Sequence, residues 1–250
     1  MDWTSEQVLT ALAPRPAQFH AQIESSNDVA LAWLKRGAPA GAVVIADEQT
    51  HGRGRMGRSW YAPPGTAIML SYVLRPPANA LARISMLGAL AVSDLAEQLG
   101  VRDVGIKWPN DVQIGGRKLC GVLPESAWDG DQLAGVVLGI GLNVRIDFSE
   151  TPFAETAISL ERAANQAFDR LTLLRDLLAR LDHWSARLES PLLLRRWRER
   201  LNMLGCEVSV SAPDGIFTGT AEAVDDGGAL LLRLPDGSLK RMIAGDIALG

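Results

Sequence analysis

The chain has 250 residues and a formal net charge of -4; at that length it can bury ~70–75% of its unfolded surface without disulfide or metal staples, as one large domain or one domain with a small appendage. The acidic balance argues against a general nucleic-acid or membrane-surface binder. Cys120 and Cys206 lie far apart with no CxxC, and His20, His51 and His183 match no zinc spacing, which points to reduced thiols in a cytoplasmic protein and away from a protein zinc site.

The N-terminal stretch MDWTSEQVLTALAP starts acidic and lacks a long apolar core, so it is neither a signal peptide nor a membrane span. Thr4 and Gln7 have capping-box spacing and predict a short helix that stops before Pro14. ESSNDVALAWLKRG predicts a second helix, capped by Ser25 or Ser26, with Asn27 and Asp28 in its first turn and Gly37 closing it. GAVVIADE is a strand, an arginine-rich stretch follows it, and AIMLSYVL is a second strand. Leu81 to Leu99 carries helical periodicity and ends at Gly100. A β-rich block comes next. VGIKW and NDVQI are two strands, or one strand broken at Pro109; Gly115-Gly116 is a hairpin turn; RKLCGVLPES returns; WDGD turns again; QLAGVVLGIGLNV is a long buried strand. Strands joined by such tight turns predict an α+β fold with a mixed, largely antiparallel sheet packed by helices.

From about Arg170 to Leu204 the pattern is helical, with a break at Pro191. The run RRWRER in this part is either a basic nucleic-acid patch or a solvated helix face with Trp197 turned inward, and the second reading is preferred. After Gly205 short strands alternate with PDG, DDGG and PDG turns, which predicts a compact β-barrel. At about 45 residues it is too small to stand alone with confidence and is expected to dock on the rest. The division expected is 1–204 and 205–250.

The stretch HGRGRMGRSW carries Arg53, Arg55 and Arg58 with no acidic residue to offset them. Its Gly52, Gly54 and Gly57 satisfy GxGxxG, but SWYAPPG follows, and Pro63-Pro64 cannot continue the helix that a dinucleotide site needs. GIGLNV fails the same pattern at Val144, and no GxxxxGK[ST] is present. A glycine-hinged loop with three guanidinium forks suits a polyanion such as a phosphate chain; a solvated basic loop remains the alternative. KWPNDV offers Lys107, Trp108, Asn110 and Asp111 for ring stacking and edge reading, or a plain strand junction. Lys118 follows a turn, where it could reach an anion or merely solubilise the surface. Gly139 and Gly141 in an apolar strand permit close approach of a flat ligand or of neighbouring chain.

Taken together and in order, GRGRMGRSW, KWPNDV, RKLCGVL and GIGLNV resemble the biotin protein ligases (biotin–[acetyl-CoA-carboxylase] ligases), and the resemblance runs from SSND to the C-terminal barrel. It implies a catalytic domain related in fold to lipoate ligases, followed by an SH3-like barrel. Some members add an N-terminal helix-turn-helix; about 20 residues precede the SSND helix here, too few for one, so a monofunctional ligase is expected. The implied reaction joins biotin to ATP as biotinyl-5′-AMP, then passes biotin to a lysine of a biotin carboxyl carrier protein.

Residue by residue, the resemblance implies that Ser25, Ser26 and Gln49 bond the biotin head group and that Arg53 contacts biotin and helps close the loop. Arg55 and Arg58 would bind phosphates, and Trp60 would pack against the ligands. Lys118 would bridge the biotin carboxylate and the α-phosphate. Asn110 and Asn143 would lie on the nucleotide side, Gly121, Gly139 and Gly141 would leave room for ligand, and Lys107 and Asp111 would serve the incoming lysine. Mg2+ is implied by ATP, with no protein ligands assigned. A homodimer is compatible with the resemblance; nucleic acid and membrane are not expected partners. Three departures stand out: Ser25-Ser26 for the usual Ser-Thr, Met56 at an often polar or basic position, and Pro124, which removes a ladder donor and belongs on an edge or bulge. The alternatives are a lipoate or octanoate ligase of the same fold and a non-enzymatic biotin sensor.

Overall fold

The computed structural model describes residues 3–249; Met1, Asp2 and Gly250, part of the segments read above, lie outside the described residues. Helix α1 (Ser5–Leu12) opens on the expected capping box: the Thr4 hydroxyl accepts from the Gln7 amide and the Gln7 side chain accepts from the Thr4 amide. Strand β1 (Ala17–Ile23) follows, and no expectation covered it. It is the outermost strand of its sheet, paired in parallel to β2 (Val43–Gln49) alone. Its residues are half-buried or exposed, with none fully buried, so it carries no clear period-two apolar signal to read. Helix α2 (Ser26–Lys35) makes the crossover that a parallel pair requires.

The remaining strands of this sheet are β3 (Ala67–Leu74), β4 (Val104–Lys107), β5 (Asp111–Ile114), β6 (Arg117–Asp129) and β7 (Gln132–Asn143). Their order is β1-β2-β3-β7-β6-β5-β4, and every pair except β1–β2 is antiparallel. The sheet is therefore mixed and largely antiparallel, as expected. The 104–114 segment forms two strands of a hairpin, not one broken strand. Gly115 and Gly116 turn the chain with φ of 54° and 78°, which only glycine adopts freely at both positions of a tight hairpin. Pro124 lies past Cys120, the last β6 residue paired with β5, so β6 has one neighbour there. The β6–β7 register runs through Pro124 unbroken, and the proline occupies the edge that its missing N–H demands.

The two faces of the sheet have different covers. Val122, Leu138, Ile140 and Leu142 point into a core shared with α3 (Ile84–Gln98) and α5 (Arg170–Ser185). Ala78–Arg83 form a separate 3-10 helix that takes in the first three residues, 81–83, of the expected helix. On the opposite face Val44, Val73 and Val137 lie beneath Ala30 and Leu34 of α2. A short helix, α4 (Leu160–Ala164), also carried no readable signal. Pro191 is the first residue of α6 (Pro191–Glu199), with Ser190 capping it; proline there sacrifices no helical bond. Trp197 is buried, and Arg196, Arg198 and Arg200 pair with Glu199, Asp226, Asp94 and Glu97. The RRWRER run is thus a paired helix face.

The C-terminal segment forms β8 (Glu207–Ala212), β9 (Gly215–Val224), β10 (Leu230–Arg233), β11 (Leu239–Met242) and β12 (Asp246–Leu249). They make a small antiparallel sheet in the order β11-β10-β9-β8-β12. It shares one apolar core with the large sheet. The Trp108 indole N–H donates to the Gly228 carbonyl at 2.9 Å and Arg198 reaches the Val224 carbonyl at 3.0 Å, so the docking is polar as well as apolar. No helix among the described residues is long and apolar enough to cross a membrane.

Helix α3 approaches the sheet so closely at Gly88 that a Cβ there would meet Val122 Cγ1 at 2.8 Å. Gly88→Ala is expected to lower stability by roughly 1–3 kcal/mol, the usual cost of overpacking, despite alanine's better helix propensity. Urea unfolding measures it; a stabilised variant would mean that the helix can move off the sheet.

Candidate active site

Beyond the end of α2, the same sheet face is nearly bare. Gly141 lies opposite Gly121 on one side and Met69 on the other, and Gly139 lies opposite Ser71. A Cβ on Gly141 would come within 2.5 Å of the Trp60 indole, and one on Gly121 within 3.0 Å of it. A Cβ on Gly139 would come within 2.5 Å of Asn27 Oδ1. The room these glycines leave is occupied by Trp60 and by the first turn of α2. A cleft of about 240 Å³ opens beside them, space for many waters rather than one.

The first turn of α2 forms one wall. Ser25 is the N-cap residue, but its hydroxyl makes no capping bond. Ser25, Ser26 and Asn27 are all buried. The Ser26 amide donates to Gln49 Oε1 at 2.7 Å, which orients the Gln49 amide. The other end of that amide donates to Met69 Sδ at 3.3 Å, and a thioether is a weak acceptor, so a ligand carbonyl would compete well for it. Ser71 Oγ lies 2.8 Å from Ser26 Oγ and 2.6 Å from Asn27 Oδ1.

The arginine stretch is the roof. Arg53 pairs with Ser59 to close a narrow loop, and Met56 turns it at φ 56°. Arg53 presents its fork to Asp28, with Nη1 at 2.8 Å from Oδ2 and Nη2 bonded to Oδ1, and Nη2 also reaches Glu125 at 3.4 Å. Arg58 pairs with Asp246 of β12 at 2.5 Å. Arg55 meets no carboxylate: it donates to Asn110 Oδ1 at 3.0 Å and to the Gly245 carbonyl at 3.2 Å. Burial pulls its pKa below the ordinary arginine value, with Asp111 and Asp246 opposing that more weakly. A guanidinium that has lost water without gaining an acid is suited to receive an anion.

Lys118 forms an ion pair with Asp111 at 2.8 Å, its ammonium 5.7 Å from the centre of the Trp60 ring. Asn110 donates to the Val122 carbonyl, so both ends of its amide are engaged. Asn143 donates to the carbonyls of Lys118 and Ile158 at 3.2 and 3.1 Å, while its Oδ1 is buried with no partner. Trp60 Nε1 is likewise buried and unpartnered. Such atoms carry a desolvation cost that a ligand can remove.

All thirteen residues expected at the site line this one cleft: Ser25, Ser26, Gln49, Arg53, Arg55, Arg58, Trp60, Asn110, Lys118, Gly121, Gly139, Gly141 and Asn143. Asp111 lines it too. Lys107 points instead at Asp246 and the Ile247 carbonyl. Trp108 also borders the cleft, but it is 1% exposed and its indole N–H is bonded to the Gly228 carbonyl, so it packs the cleft against the C-terminal segment and offers no open face for a ring.

The model of the Biotin/lipoate A/B protein ligase family matches residues 14–143, and that of the Biotin protein ligase C terminal domain matches residues 203–250. The chain belongs to the biotin protein ligases of this family. It is 39% identical over 239 residues to the biotin–[acetyl-CoA-carboxylase] ligase of Mycobacterium tuberculosis, covering 91% of this chain and 86% of that protein. It is 32% identical over 240 residues to the bifunctional ligase/repressor BirA of Bacillus subtilis, covering 93% and 73%. In structure it is similar to the biotin protein ligase of Aquifex aeolicus in complex with biotin and ATP, with a TM-score of 0.81 at 25% identity over 94% of this chain and 98% of that one.

Several residues of this ligase's cleft were invisible to sequence reasoning. Phe148, Phe153 and Ala157 also line it, in a segment without motif or periodicity. Asp28, Glu125 and Asp246, the acids that hold the arginines, sit far from them in sequence. Burial by itself pushes the Asp246 carboxyl up, but Arg58 and Lys107 outweigh it and hold it below the usual carboxylate range. Its contribution to stability is therefore complete above the unfolded value of about 3.9 and is lost as pH falls through the lower folded value. The melting temperature of Asp246→Asn is expected to fall short of wild type near neutrality, and the gap to close on acidification from about pH 5 down through the lowered folded value. A gap that stays constant across that window would mean that charge does not hold the loop to β12.

Proposed function

We propose that this chain catalyses ATP-dependent ligation of biotin to a lysine of a carboxyl carrier protein by way of biotinyl-5′-AMP. The observation that carries the reading is the placement of Arg55, desolvated and without a carboxylate, in the same cleft as Lys118, Gln49 and the buried serines. One end of the cleft is neutral and hydrogen-bonding, fit for a urea-like ring; the other is cationic, fit for phosphates.

In the first step a biotin carboxylate oxygen attacks the α-phosphorus of ATP, the bond to the bridging oxygen breaks, and pyrophosphate leaves. Lys118 would sit between the two anions, drawing them together and offsetting the charge that grows on the phosphoryl oxygens. Arg55 and Arg58 would take the phosphates, Arg58 by exchanging Asp246 for them. Asn143 Oδ1 and Trp60 Nε1 would find partners on the nucleotide side. In the second step the acceptor lysine nitrogen attacks the acyl carbon, the amine loses its proton, and AMP leaves. Asp111, paired with Lys118, would orient that amine. No protein nucleophile enters either step, and the roof formed by residues 53–60 would keep water from the anhydride.

Magnesium fits this site as a passenger of the triphosphate. Among the described residues no three His, Cys, Asp or Glu side chains group to hold a metal, and the carboxylates of the cleft, Asp111 and Asp246, are each held by a cation. When bound, the ion would neutralise phosphate charge.

The test is biotin-dependent exchange of pyrophosphate into ATP, followed by transfer of biotin to a carrier domain. Calorimetry with biotin and lipoate separates the sister activity, since lipoate wants a longer apolar slot and no polar set like Ser25, Ser26 and Gln49. Lipoate binding with silence towards biotin would overturn the assignment. Arg55→Gly is expected to weaken retention of the adenylate by about tenfold to a hundredfold, one charge-assisted hydrogen-bond set, and to leave biotin affinity nearly unchanged. Equal loss of both affinities would remove Arg55 from the phosphates.

A further inference from the structure

The resemblance turns Arg53 towards biotin, but in the structure its fork is turned to an acid. We propose that Asp28 is a positioning residue for the ligation reaction: acting through Arg53, with Glu125 as a second anchor, it latches the arginine loop shut over the cleft.

The geometry joins three elements. Arg53 Nη1 lies 2.8 Å from Asp28 Oδ2, Nη2 bonds Oδ1, and Nη2 also reaches Glu125 Oε1 at 3.4 Å. Glu125 is itself gripped by the Asn27 amide, which also reaches the Leu123 carbonyl. The rising arm of the loop, the first turn of α2 and strand β6 thus form one network. Planar two-point pairing of a guanidinium with a carboxylate fixes direction as well as distance.

The latch has to open. With the loop down, Trp60 lies against Gly141 and Gly121 and its Nε1 is sealed from water, so no flat molecule can pass between the indole and the sheet. A bond suited to opening is a solvent-exposed one. The Asp28 side chain is 50% exposed and that of Arg53 is 37%, and pairs of this kind shift an equilibrium by up to roughly fivefold. That is enough to bias the loop towards closure after the adenylate forms and too little to lock it. The structural half of this inference stands on contacts alone; its consequence for catalysis rests on the ligase reading above.

Asp28→Asn in the full chain keeps the shape and removes the charge. Trypsin cuts after arginine, so cleavage at Arg55 and Arg58, read by mass spectrometry without ligands, reports loop opening. The variant is expected to be nicked there roughly fivefold faster than wild type at an unchanged melting temperature. Its KM for biotin in pyrophosphate exchange is expected to stay within about twofold, while the adenylate released to solution per biotin transferred rises roughly fivefold. Asp28→Glu, which keeps the charge, is expected to restore both readouts. Nicking at the wild-type rate overturns the latch whatever the enzyme does. Faster nicking with wild-type retention of the adenylate overturns its part in the reaction, and failure of Asp28→Glu to restore either readout overturns charge as the cause. Absence of exchange in the wild type itself would fail the ligase reading and leave the trypsin comparison to decide the latch.

Discussion

Gly141 faces Gly121 across the β6–β7 pair, and Gly139 is next on the same face. In an antiparallel sheet such positions ordinarily project side chains about as far as the next layer. Here they project nothing, so the first turn of α2 and the Trp60 indole can come down onto the backbone, at separations where a Cβ would collide at Gly139 and Gly141 and crowd the indole at Gly121. The cleft depends on this. With side chains on those three positions α2 would stand away from the sheet, Gln49 would lose the Ser26 amide that orients it, and the arginine loop would have no floor to close against. A pattern two residues apart on one strand and one residue on its neighbour therefore decides where a ligand can lie.

The second constraint is electrostatic. The chain carries a net charge of -4, yet the cleft gathers Arg53, Arg55, Arg58 and Lys118. The fold keeps most of these cations within reach of an acid from another segment: Asp28 and Glu125 for Arg53, Asp246 for Arg58, Asp111 for Lys118. Such exposed or half-exposed pairs contribute little to stability, so a triphosphate can displace them at low cost. Arg55 differs because its partners are neutral. The site is thus prepared for anions without holding bare positive charge that would repel itself and open the loop.

The C-terminal sheet belongs to the same arrangement. Gly245 and Asp246 touch Arg55 and Arg58, Lys107 holds Asp246 from the other side, and Trp108 joins the β4–β5 turn to Gly228. A single apolar core runs through both sheets. The roof of the cleft is consequently supported by both sheets.

Local chemistry made much of this protein legible from its residues. A capping box, paired turn glycines, a chain-breaking proline and apolar strand runs each act within a few residues, so most helices and strands could be placed, and four short motifs pointed to most of the residues that line the cleft. Strand β1 escaped because its residues are only half-buried or exposed and write no clear apolar alternation. Lys107 and Trp108, part of the KWPNDV motif, turned out to serve the C-terminal sheet, because the motif fixes a turn and not the direction in which each side chain leaves it. The acids that hold the arginines escaped entirely. Asp28, Glu125 and Asp246 lie 25, 72 and 188 residues from their partners, and pairing over such spans is set by strand order and register. The sequence by itself determined which residues could bind an anion and a flat ring; only the tertiary structure decided which acids hold them meanwhile, because an ion pair depends on distance in space and leaves no trace along the chain.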